Sequence, residues 1–135
     1  MALIDSIDLS MVRRKLMDEE GWSEKAAGIV EQRYRRFLCL HLMDRELVLV
    51  PARDIDKFWH QHILHTRDYA RDCSRVFGEF LHHLPASGDS DDSESMRKGF
   101  EETESLYRKL FGEEYIATNP AVDDAKYEKW VSFFT

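Results

Sequence analysis

Apolar residues in this chain recur mostly at intervals of three and four, the period of a helix with one buried face. The clearest run is Ala27, Val30, Tyr34, Phe37 and Leu38, then His41. Ser23 stands ahead of it as an N-cap, and Glu24 suits the positive end of the helix dipole. A helix is therefore predicted from Ser23 to about Met43. A shorter one is predicted over Leu9 to Glu19, ending before Gly21. Leu47 to Val50 is the only β-like run, and Pro51 stops it. A solitary strand cannot satisfy its own edges, so an extended connector is expected there.

The next helix is expected to start near Asp54, whose side chain can cap it. Trp59, Ile63, Ala70, Cys73, Phe77 and Leu81 fall on one face, the predicted core stripe. Phe58, His62, His65, Tyr69, Val76 and Phe80 lie immediately beside it. So wide an apolar arc predicts a central helix packed on by two or more others. Gly78 is placed to bend or break it, and Pro85 to end it. Ala86 to Ser95 is rich in Ser, Asp and Gly and is expected to be a flexible acidic loop. A further helix is predicted from about Ser93 to Phe111, with Met96, Phe100, Thr103, Tyr107 and Leu110 inward. After Asn119-Pro120, Asp123 or Asp124 can cap a last helix with Tyr127, Trp130 and Phe134 on its apolar side. These elements predict an all-α fold: a compact bundle of about five helices, the histidine-rich one central, in one domain over residues 1–135.

Composition narrows the function. Hydrophobic residues at 43% and charged residues at 33% of 135 suit a globular core inside a heavily solvated exterior. A net charge of −7 argues against nucleic acid, and the short basic run Arg33 to Arg36 is interrupted by Tyr34. No stretch approaches the ~20 apolar residues of a membrane span. No basic leader followed by an apolar run opens the chain. Cys39 and Cys73 are too few for a disulfide framework. A cytoplasmic location with reduced thiols is expected, with a protein or small molecule as partner rather than nucleic acid or membrane.

The chemistry-bearing segment is Asp54 to Cys73, which holds His60, His62 and His65 beside Trp59 and Tyr69. Imidazole is the commonest metal ligand. On a continuous helix His62 and His65 share a face and can chelate one ion, and Tyr69 continues that face with a phenol oxygen. His60, pointing about 200° away from His62, lies instead over Asp56, whose carboxylate can fix its tautomer. His41 is an outside candidate on the neighbouring helix. His82 and His83 lie about 27 Å along a continuous helix from His65 and can join only if the chain reverses near Gly78. Cys73, on an apolar stripe, is expected to be a core thiol. No zinc-finger or His-Glu-x-x-His pattern selects a metal.

The same segment carries a family resemblance. Trp59-His60-x-His62-x-Leu64, with Tyr69 and Asp72-Cys73, resembles the glycine-rich domain-containing protein-like family, a domain of unknown function. The resemblance runs from Tyr34-Arg35-Arg36-Phe37-Leu38 through Val50-Pro51 and Asp54 to Phe77-Gly78, and continues into Phe80-Leu81-His82-His83 as in stand-alone bacterial members. It implies no activity. Plant-type members differ at the position matching His65 and carry a glycine-rich tail that this chain lacks, which leaves His60 and His62 as the pair the resemblance supports.

Three functions remain open at this point. The first is a small metal-binding helical protein, a metal-dependent enzyme or accessory protein of unknown reaction, with His60, His62 and His65 on a divalent transition metal and Asp56, Tyr69 and His41 as further or supporting ligands. The second is a non-catalytic interaction module whose Trp-His-x-His helix is structural. The third is a metal-free enzyme using His60 and Asp56 as a general-base pair.

Overall fold

The computed structural model describes residues 2–44, 48–83 and 90–115. Within them the fold is all-α, with six helices and no strand among the described residues: α1 (Ala2–Asp5), α2 (Ser10–Glu20), α3 (Glu24–Met43), α4 (Arg53–Leu64), α5 (Thr66–Phe77) and α6 (Ser90–Phe111). The predicted last helix and its Tyr127, Trp130 and Phe134 lie outside the described residues.

Local chemistry sets the ends. Asp8 accepts hydrogen bonds from the Ser10 amide (3.0 Å) and hydroxyl (2.7 Å) where α2 begins. Gly21, at φ 72°, closes α2 in the left-handed conformation that glycine tolerates. Ser23 caps α3 by accepting from the Ala26 amide at 3.0 Å. α1 is too short to hold itself. Arg35 of α3 clasps it, donating to the Ile4 and Ile7 carbonyls at 2.6 and 2.8 Å while Ile4 enters the core. α3 packs against α1, α2, α4 and α6, and α4 against α2, α3 and α5.

The segment before α4 is extended, and side chains satisfy its backbone. The Val50 amide donates to Thr103 Oγ1 (2.9 Å), and the Ala52 amide donates to the Tyr115 hydroxyl (2.9 Å), which in turn donates to the Val50 carbonyl (2.8 Å). These bonds answer the edge problem without a second strand. The segment can come this close because α6 carries Gly99, where an added Cβ would lie 2.9 Å from Val50 Cγ2.

Two expectations are corrected. The helix expected to run unbroken from Asp54 breaks at His65, whose ψ of 71° is outside the helical range, and α5 starts at Thr66. On a straight helix residues 59 and 69 stand about 15 Å apart. Here Trp59 Nε1 donates to the Tyr69 hydroxyl at 2.9 Å, so α5 folds back on α4. The break also resets the helical phase: Ala70, expected in the core stripe, is exposed, whereas Asp72 is buried. α6 starts at Ser90, so Ser90 to Ser95 of the expected acidic loop are helical.

Candidate functional site

α3 contributes Tyr34, Phe37 and His41 at helical spacing, α4 contributes Trp59 and His62, and α5 contributes Tyr69 and Asp72. All are buried. Their meeting point is His62. Its Nδ1 lies 2.7 Å from the Tyr34 hydroxyl, and its Nε2 lies 3.0 Å from Asp72 Oδ2. An ionised carboxylate only accepts, so Nε2 carries the proton and Nδ1 accepts from the phenol. Burial pushes the His62 pKa below its ordinary value, against the hydrogen bond that its ring donates to Asp72. Burial likewise holds the Tyr34 phenol well above the ordinary tyrosine range, so it stays a donor. Asp72 keeps a route to positive charge at the rim, where Arg71 Nε stands 3.7 Å and Arg75 3.9 Å from its other oxygen.

Aromatic rings close around this core. The Tyr69 ring meets His62 edge-on at 4.8 Å. Its hydroxyl accepts from Trp59 and donates to the Leu81 carbonyl, and burial raises its pKa. Trp59 packs on Phe37 and His41 at 5.4 and 5.6 Å. Gly78, at φ 75°, ends α5 and turns the chain back, so the reversal that the distant histidines needed does occur. His83 then stacks flat on Trp59, with centroids 4.2 Å apart and planes 11° apart, and its Nε2 lies 2.5 Å from Asp56 Oδ1.

The residues singled out from the sequence are thus dispersed. His60 is exposed on α4. His62 is buried with both nitrogens engaged, and Tyr69 stands beside it. His65 sits at the helix break, its Nε2 3.3 Å from the Gln61 amide nitrogen. Asp56 meets His83 rather than His60, and His41 lies against Phe37 and Trp59. Among the described residues no group of three or more His, Cys, Asp or Glu is placed to hold a metal ion. Cys73 is buried, as expected, and burial raises the Cys39 thiol pKa.

A second buried constellation was not anticipated. Arg33, fully buried, donates through Nε and Nη2 to Asp54 (2.9 and 3.3 Å) and through Nη1 to Glu113 (3.1 Å) and the Glu114 carbonyl (2.9 Å). Tyr107 donates to the same Glu113 oxygen at 2.6 Å, and the rings of Tyr107 and Tyr115 each lie 5.9 Å from the guanidinium. Burial alone would favour a neutral Arg33, but Asp54 and Glu113 outweigh it and raise its pKa. The signal was in the spacing: Arg33 stands three after Val30 and four before Phe37, on the apolar stripe itself. A cation at a core position requires buried carboxylates.

Fold and site together define a small helical domain whose motif histidine is tied into its core between a phenol and a carboxylate. The chain belongs to the UCP032817-like family, whose model matches residues 3–119. It is similar to glycine-rich domain-containing protein 2 of Arabidopsis thaliana, 32% identical over 108 residues, which are 77% of this chain and 13% of the relative. Glycine-rich domain-containing protein 1 of the same plant is 34% identical over 87 residues, 62% of this chain and 11% of the relative. The chain therefore spans only about an eighth of the length of these relatives. No solved structure matches it. No helix among the described residues is long and apolar enough to cross a membrane.

Proposed function

We propose that this chain is a non-catalytic interaction module in which the Trp-His-x-His helix, central to the bundle, is structural. The observation that carries this reading is that both ring nitrogens of His62 are bonded inside the protein, to Tyr34 and Asp72. A ligand histidine needs one nitrogen's lone pair for the ion and usually spends the other on a supporting bond. His62 has neither to offer unless it leaves Tyr34 or Asp72, which would leave that partner's polar group buried and unsatisfied. The relatives add support, because in them the matched stretch is a small part of a longer protein. With a net charge of −7, the module suits a basic or neutral protein partner.

Metal analysis of protein purified without a histidine tag tests this directly. The expected outcome is no stoichiometric divalent ion, with His62→Ala lowering the melting temperature and leaving metal content unchanged. Stoichiometric metal lost in His62→Ala would instead support a centre of His60, His62 and His65, with Asp56, Tyr69 and His41 as further ligands.

A further inference from the structure

Beyond Gly78, residues 80–83 form a non-helical strap laid back over α4 and α5. Its contacts fasten it to both helices. Phe80 meets the Tyr69 ring edge-on at 5.1 Å, and the Leu81 carbonyl accepts from the Tyr69 hydroxyl. Two residues on, the His83 ring stacks on Trp59 with an N–H on the Asp56 carboxylate. The strap is only partly buried: Leu81 packs against the core and the His83 side chain is 16% accessible, but Phe80 and His82 are exposed, and on α4 the Asp56 side chain is 48% accessible.

We propose that this strap is an internal occupant of a peptide-docking groove, and that the groove takes a partner protein's extended segment bearing arginine at the place of His83. The groove offers an indole face flanked by a carboxylate. A guanidinium fits both better than an imidazole does: it is planar, permanently charged, stacks on aromatic faces and presents paired N–H donors to a carboxylate. The net charge of −7 draws such a segment in. This inference rests on the interaction-module reading and names the partner's chemistry.

A tethered strap competes at an effective concentration of about millimolar order, so a free peptide should bind visibly only once the strap is weakened. The probe is the capped tetrapeptide acetyl-Phe-Leu-His-Arg-amide, titrated into the full chain carrying His83→Ala and followed by the NMR signal of the Trp59 indole N–H. Circular dichroism checks the fold, and His83→Gln serves as a second ringless variant should alanine fail to fold. Saturable binding is expected, about tenfold or more tighter than to wild type, and weakened about tenfold by adding Asp56→Asn or by replacing the peptide arginine with alanine. Absence of a saturable shift in a folded ringless variant, or binding indifferent to Asp56→Asn, overturns the groove. Such a failure leaves the module reading standing, because that reading falls on metal content.

Discussion

His62 shows how a residue type suited to chemistry can be recruited for cohesion. A neutral imidazole is one donor and one acceptor on opposite sides of a flat ring, so it can join an acceptor on one helix to a donor on another. Here it joins Asp72 of α5 to Tyr34 of α3. Replacing it with alanine removes two hydrogen bonds and leaves a buried carboxylate and phenol without them. His62→Ala should therefore destabilise by about 2–4 kcal/mol in urea unfolding, and a loss below about 0.5 kcal/mol would show the bridge to be incidental. The same bond pattern sets a pH dependence. Burial lowers the folded pKa below 6.5, so under mildly acid conditions the unfolded chain holds the extra proton and the folded chain does not. The stability this contributes is present above about pH 6.5 and is lost as pH falls through the folded value. Urea midpoints measured from about pH 7 down to about pH 5 should fall more steeply for the wild type than for His62→Gln.

Helices with a stripe and a cap were legible: α2 and α3 start and stop within a residue or so of where Ser23, Gly21 and the apolar spacing put them. The break at His65 was not. Neither Pro nor Gly marks it, and the apolar positions on either side read as one broad arc. That breadth belongs to two helices, each burying its own face, with Trp59 bonded to Tyr69 across the bend. Trp59 was anticipated as core and is 2% exposed, whereas the order in which its neighbours reach it depended on a bend that periodicity does not record. For the candidate site, the sequence singled out His60, His62 and His65 but gave no sign of the partners that His62 meets in the core. Tyr34 stands 28 positions away from it, and Asp72 faces it only because the chain folds back. Gly99 belongs to the same class of hidden constraint. In an exposed helix Gly→Ala should stabilise by about 1 kcal/mol. Here the new methyl would meet the stiff, β-branched Val50 at 2.9 Å, so Gly99→Ala should destabilise by about 1–3 kcal/mol. Adding Val50→Ala should recover part of that loss. A double-mutant cycle showing no coupling would place the Val50 contact elsewhere.

Arg33 joins parts of the chain that no local signal connects: α3, the first turn of α4 through Asp54, and the segment just past α6 through Glu113. Its 80-residue separation from Glu113 makes this a contact that only the completed fold can form. The site and this cluster lie on neighbouring positions of α3, since Arg33 and Tyr34 are adjacent. Loosening one should therefore disturb the helix that carries the other. Arg33→Met takes the guanidinium from Asp54 and leaves Glu113 with Arg36, 3.4 Å from its other oxygen, and should cost about 3–5 kcal/mol. Arg33→Lys should recover little, because a single ammonium cannot reproduce the fork that reaches Asp54 through two nitrogens and Glu113 through a third. The decisive comparison is the triple variant Arg33→Met, Asp54→Asn, Glu113→Gln. It also loses the Arg36–Glu113 pair, yet leaves neither buried carboxylate charged. If the cost of the single change is that of stranded carboxylates, the triple variant should be the more stable of the two in urea unfolding. If it proves less stable, the cluster contributes net attraction to the fold, and the helices owe more of their arrangement to charge than to apolar packing.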